Sequence, residues 1–303
     1  MSTCSGPRSS LRPTAADGVK VFISIDMEGV SGLVRWADVI SRGLDYERNR
    51  RFMTADANAA VAGAFEGGAS EVIVEENHGV EELCDLRLDE IDPRCRVVRG
   101  AGRPTATTMA ALDASIAVVL LVGHHARAGS RPGIMAHTVS YEQFRAVRIG
   151  GNDCGEPEIF TIRAGELGVP VGLISGDQVA GAQLRARAPW AEAIEVKRAL
   201  SNVAGDVIPP ARARDLIRTG ARHAVERAHR GELQPYRGEP APYTIEVELR
   251  QPLTAEMRDN LARLPEFTVV DERTVRTVAE DMDLGFRRIA YCGYAQQRGV
   301  IRY

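Results

Sequence analysis

Val21-Phe22-Ile23-Ser24-Ile25-Asp26-Met27-Glu28-Gly29 decides the fold. Its first five residues form a short β-branched and aromatic run that reads as a buried strand, and the polar continuation ends in glycine. Strand alternation places Ser24, Asp26 and Glu28 on one side, so two carboxylates converge at a strand end. Like charges that close raise each other's pKa unless a cation neutralises them, which makes a metal ion the economical explanation. An N-cap aspartate beside a solvated glutamate is the competing structural reading.

Outward from this strand the chain alternates. Tyr46 to Glu66 reads as a helix, because Met53, Ala57, Ala60, Val61 and Ala64 recur at three- and four-residue steps and Gly67-Gly68 stops it. Strands are expected at Glu71–Val74, Arg96–Val98, Ile116–Val122 and Val169–Ile174, and helices near Thr105–Leu112, Glu156–Leu167 and Asp177–Arg187. This alternation predicts an α/β fold with a mostly parallel sheet covered by helices on both faces. After Ser201 the texture changes: Pro209-Pro210 opens a long Arg/Ala-rich helix to about Arg230, and a Pro-rich loop covers Gln234–Pro242. Tyr243–Leu249 alternates as a strand, Ala255–Leu264 and Asp281–Ala290 are helical, and Phe267–Asp271 can pair with Thr274–Val278. The expected organisation is a disordered tail at 1–17, an α/β core at 18–200 that carries the strand-end carboxylates, and a helix plus smaller α+β lobe at 201–303.

Composition excludes several classes. The 303 residues carry 38 Lys+Arg against 41 Asp+Glu, a formal charge of −3, which argues against a basic nucleic-acid binder. Hydrophobic residues at 44% and charged residues at 26% suit a globular chain that buries a core. The longest aliphatic run, Ile116 to Val122, falls far short of the ~20 residues of a membrane span. Five scattered cysteines without a C-x-x-C pattern fit a reducing compartment, so a cytoplasmic protein is expected. Lysine occurs only at Lys20 and Lys197, against 36 arginines, a bias that codon usage explains.

In open α/β sheets ligands bind at the carboxyl ends of strands, so the polar residues there carry the chemistry. The second strand ends in Glu75-Glu76-Asn77-His78-Gly79, where either glutamate could orient a metal-bound imidazole. Ile116–Val122 runs into Gly123-His124-His125-Ala126-Arg127, and alternation lets one of the two histidines face the site. His137 follows, then Asn152-Asp153-Cys154-Gly155-Glu156 before a helix, where Glu156 could also merely complement the helix dipole. His223 and His229 lie in the Arg-rich helix and read as solvated, and Cys154 reads as a buried thiol. Carboxylates and imidazoles without thiolates suit a catalytic Zn²⁺ site. Five ligands exceed one open site, and two metals about 3.5–4 Å apart sharing a carboxylate would use them all.

These elements resemble a known family. Ser24-Ile25-Asp26-Met27-Glu28-Gly29, Tyr46-Glu47-Arg48 with Met53-Thr54 and Ala57-Asn58, Asn77-His78-Gly79, Gly123-His124-His125-Ala126-Arg127-Ala128 and Pro132-Gly133-Ile134-Met135-Ala136-His137 are similar to the zinc D-aminopeptidases of the dipeptide-operon type. The likeness is strong from Lys20 to Arg187 and faint beyond. It implies two zinc ions per subunit: Asp26 bridging both, Glu28 and His78 completing one site, His125 and Glu156 the other, with His137 catalytic. It also implies a ring-based homo-oligomer, typically a decamer. Glu76 stands where the family has Asp, and Glu158 rivals Glu156 as the late ligand. The expected activity is hydrolysis of short peptides at an N-terminal D-residue. A related amide or lactam hydrolase without D-preference and a silent metal-binding oligomer are the alternatives.

Overall fold

The computed structural model describes residues 18–79, 82–103 and 108–294. The expected tail at 1–17 lies outside them. In chain order the elements begin with β1 (Val19–Ile25), α1 (Trp36–Val39), α2 (Tyr46–Glu66), β2 (Ala69–Glu76), β3 (Arg96–Val98) and β4 (Val118–Val122). Then come β5 (Phe144–Ile149), β6 (Asn152–Asp153), α3 (Glu156–Glu166), β7 (Val171–Asp177), α4 (Gln178–Arg187), β8 (Glu192–Ala199) and β9 (Gly205–Val207). The chain closes with α5 (Pro210–His229), β10 (Tyr243–Leu249), α6 (Ala255–Ala262), β11 (Phe267–Val269), β12 (Thr274–Ala279) and α7 (Met282–Tyr294).

Two sheets result. The first has the order β3-β2-β1-β4-β7-β8-β9 and is parallel apart from β9. The second, β11-β12-β10-β5-β6, is antiparallel throughout. The strand β1 shows why the layers form. Val21, Ile23 and Ile25 pack in one apolar cluster with residues of α2 and α5, while Phe22 points the other way into the cluster shared with α3, α7 and the second sheet. Each such fully buried side chain contributes roughly 1.5–3 kcal/mol. The same parity sends Ser24 toward the second sheet's side. The expected α/β class with a mostly parallel sheet is therefore what the chain adopts, but the two sheets do not divide it at residue 200. The strands β5 and β6 lie before that point and join β10, whereas α5 lies after it and packs on α2.

One expected helix is corrected. Of Thr105–Leu112, residues 105–107 are outside the described set, and 108–112 form a turn. The buried Glu75 carboxylate accepts the N–H groups of Ala110 at 2.9 Å and Ala111 at 3.0 Å, which takes these donors from any helix. The strands β5, β6, β8 and β9 were not among the expected elements. Their charged residues, such as Arg145 and Arg148 in β5 and Glu192, Glu195 and Arg198 in β8, mask the strand pattern. Among the described residues no helix is long and apolar enough to cross a membrane.

Candidate metal centre

Register brings the site together. Ile25 pairs with Glu76 on one side and Val122 on the other, so β1, β2 and β4 end level and release Asp26, Asn77-His78 and Gly123-His124-His125 at one height. The turn after β1 is held tightly against β4: Asp26 N–H donates to Val122 O at 2.9 Å and Gly29 N–H to Gly123 O at 2.6 Å. A Cβ on Gly29 would stand 2.1 Å from His124 O, so the backbones can meet only because that residue is glycine. Gly123 adopts φ +69°. This breaks strand alternation, and both following histidines turn toward Asp26, in place of the one that alternation allowed.

Asp26, Glu28, His78, His124, His125, His137 and Glu156 are all at most 8% exposed. Asp26 stands at the middle. His78 Nδ1 lies 3.5 Å from Asp26 Oδ1 and 3.0 Å from Glu28 Oε2. On the other side, His125 Nε2 lies 3.4 Å from Asp26 Oδ2 and 3.5 Å from Glu156 Oε1. His137 Nε2 is 3.9 Å from both Glu28 Oε1 and Glu156 Oε1. Three imidazoles have their second nitrogen committed to a backbone carbonyl: His78 Nε2 to Val39 O at 2.8 Å, His125 Nδ1 to Ala126 O at 3.0 Å and His137 Nδ1 to Met135 O at 2.8 Å. A carbonyl only accepts, so those nitrogens carry a proton and the other ring nitrogens are the ones directed at the carboxylates. His124 is set differently, with Nε2 hydrogen-bonded to Ser24 Oγ at 2.9 Å and Nδ1 3.7 Å from Asp26 Oδ2.

Burial of three carboxylates in one place demands positive charge. Burial alone would raise the Glu28 carboxyl, yet His78, with help from His137 and His125, holds it well below the carboxylate range. Glu156 is likewise held down against burial, chiefly by His125. Burial opposes protonation of His78 and His125, but the carboxylates prevail: Glu28 and Asp26 raise His78, and Glu156 with Asp26 pushes His125 up to about 10. Burial, and then the charge on His125, depresses His137. Without an ion the carboxylates thus draw positive charge toward the imidazoles on both sides of Asp26, where a cation would otherwise serve.

The donor set fits metal ions. Asp26–Glu28–His78, His125–His137–Glu156 and Asp26–His124–Glu156 each bring three ligand atoms within 4.8 Å of one another. Asp26 Oδ2 and His125 Nε2 are buried without a hydrogen-bond partner, as groups awaiting a ligand would be. Glu158, the rival for the late position, is engaged elsewhere. Its Oε2 accepts Gly155 N–H at 2.9 Å and its Oε1 accepts Arg127 Nη1 at 3.0 Å. Neither Glu75 nor Glu76 orients an imidazole, contrary to the expectation from sequence. Glu75 binds Arg103 and the 110–111 turn, and Glu76 accepts the N–H groups of Asp85 and Leu86. Cys154 is buried, and burial pushes its thiol up to about 12, so it is no nucleophile. His223 and His229 are exposed on α5.

A cavity of about 810 Å³ opens on Asp26, Glu28, His78, His137 and Glu156. That is room for a small peptide. Its wall includes residues that sequence reasoning passed over. Trp36 meets the His137 ring edge-on at 5.3 Å between centroids and Tyr141 at 4.2 Å, and His137 stacks on His125 at 3.8 Å. Nothing in the local pattern around Trp36 signals this, since it is brought in by the long turn after β1.

A parallel α/β sheet with buried imidazoles and carboxylates gathered at its strand ends, beside a peptide-sized cavity, is the frame of a metal-dependent hydrolase. The chain belongs to the D-aminopeptidase family, peptidase M55, whose pattern matches residues 19–290. A D-aminopeptidase of Bacillus subtilis (strain 168) is 33% identical over 199 residues, covering 66% of this chain and 71% of the relative. Among solved structures, the Zn-dependent D-aminopeptidase DppA from Bacillus subtilis, a self-compartmentalizing protease, aligns with a TM-score of 0.84 at 26% identity, over 93% of this chain and 100% of its own.

Proposed function

We propose that this chain is a dinuclear zinc aminopeptidase that removes an N-terminal D-residue from short peptides. The observation that carries the reading is the two-sided use of Asp26, with one oxygen toward His78 and the other toward His125. Asp26 would bridge two ions, Glu28 and His78 would complete one position, and His125 and Glu156 the other. When bound, the ions supply Lewis acidity to the scissile carbonyl and to the attacking water. His137 supplies the proton chemistry. Its Nδ1–H is tied to Met135 O, so Nε2 faces the cavity between Glu28 and Glu156 and can take a proton from water and return it to the leaving amine. Trp36, edge-on to this imidazole, and Tyr141, packed on Trp36, line the same cavity beside it.

That the solved DppA is a self-compartmentalizing protease supports a homo-oligomer; a ring-based decamer and a cytoplasmic location are the forms of this reading we propose. Sedimentation of the purified chain tests the assembly. Metal analysis with a panel of D-Ala and L-Ala p-nitroanilides tests the activity. Close to two zinc ions per chain with D-selective release is the expected result. Release without that selectivity indicates a related amide hydrolase, and bound metal without turnover indicates a silent binder.

A further inference from the structure

Lysine occurs twice in this chain beside 36 arginines. Lys20 is a surface residue, with 38% of its side chain exposed and an ion pair to Glu71 at 3.7 Å. Lys197, on β8, is 1% exposed. Its Nζ donates to three backbone carbonyls: Glu28 O at 2.5 Å, Val30 O at 3.0 Å and Leu33 O at 2.6 Å. Three convergent acceptors use all three donors of an ammonium. A guanidinium presents its donors in a planar fork, so it cannot meet three carbonyls around one point. The rarest cation of the chain therefore stands where its tetrahedral geometry is required.

The segment so held is the turn after β1. Its N–H groups are fixed by β4 and by the turn itself, Asp26 and Gly29 by β4 and its following glycine, Val30 by Met27 O at 3.1 Å and Leu33 by Val30 O at 3.3 Å. Lys197 closes the carbonyl side from β8, with β4 and β7 between β1 and its own strand. Glu28 carries both features at once: its carbonyl sits on Lys197 while its carboxylate meets His78 at 3.0 Å. No comparable link runs from Lys197 to Glu156 or His125, which come from the start of α3 and the end of β4.

We propose that Lys197 is a positioning residue for the metal centre: by gathering the carbonyls of Glu28, Val30 and Leu33 it fixes the Glu28 carboxylate against His78 and so sets the affinity of that one metal position. This rests on the two-metal reading above. Residues that orient metal ligands in this way typically change metal affinity by about 10–100-fold when replaced. The loss should fall on one ion of the two.

The test is a zinc titration of the metal-free full chain against a chromophoric chelator, for the wild type, Lys197→Met and Lys197→Arg. Circular dichroism of each metal-free protein monitors the fold, and cobalt-substituted spectra report the geometry of each position. The expected result is a folded variant that binds one ion as tightly as the wild type and the other about 10–100-fold more weakly, with a changed cobalt spectrum for the weakened position and no rescue by arginine. Should Lys197→Met fail to fold, Lys197→Arg alone gives the reading. Unchanged affinity for both ions, equal weakening of both, rescue by arginine, or loss of fold in both variants would overturn the proposal. A wild type that takes up a single ion sinks the two-metal reading instead, and Lys197 is then judged by the affinity for that ion.

Discussion

At the carboxyl ends of β1, β2 and β4, buried side-chain atoms such as Asp26 Oδ2, His124 Nδ1 and His125 Nε2 lack hydrogen-bond partners, whereas among the described residues no side-chain atom on the strands of the antiparallel sheet is left that way. There the polar groups pair across strands: Arg148 with Glu248 at 2.8 Å and with Asp153 at 3.1 Å, and Arg276 with Glu246 at 2.7 Å. An orphaned buried polar atom costs about 1–3 kcal/mol. The contrast teaches that the chain tolerates this cost where ligand atoms converge and avoids it where strands only have to pair.

The sharpest way to break the contrast is Asp26→Ala. On the proposed two-metal reading, removing its carboxylate should release both zinc ions and leave no measurable turnover; elemental analysis that still finds one tightly held ion would disprove the bridging role. His137→Ala should lower kcat by about 10²–10⁴-fold, the usual contribution of a general acid/base. Its zinc content should stay at the wild-type level, and full activity would remove His137 from the mechanism. On the other side of the comparison, Ile245→Ala in β10 empties a fully buried position of the second sheet. It should destabilise the protein by about 2–5 kcal/mol in denaturant unfolding while the folded fraction keeps its metal. The smallest effect is expected for Arg276→Ala, which removes a pair whose members are 46% and 25% exposed. Its stability should change by less than about 1 kcal/mol, and a larger change would show that the second sheet depends on charge more than on packing.

Legibility followed the same divide. Where periodicity and punctuation act within one element, the sequence sufficed: Tyr46–Glu66 and Arg96–Val98 form the elements expected at those residues, and Asp177 caps α4 with its side chain accepting from Val179 and Ala180. The ligand candidates could be gathered because strand ends in a parallel sheet share one edge. What sequence could not supply were contacts that depend on distant register. Lys197 reaches the turn after β1 from 164 to 169 residues away. Proximity in sequence makes either Glu75 or Glu76 a candidate imidazole partner, but the backbone N–H groups of Ala110 and Ala111 and of Asp85 and Leu86 engage them instead. A single positive-φ glycine, Gly123, was enough to defeat the alternation rule for His124 and His125.

The excursion through β5 and β6 leaves the first sheet after His125 and returns at Glu156, with His137 on the way. Its principal partner, β10, is encoded about a hundred residues later, at Tyr243–Leu249. During synthesis on the ribosome, β5 therefore has only the two-residue β6 to pair with until β10 emerges. A polypeptide truncated before β10 keeps the parallel strands that carry Asp26, His78 and His125, but β5, between His137 and Glu156, has lost its principal partner.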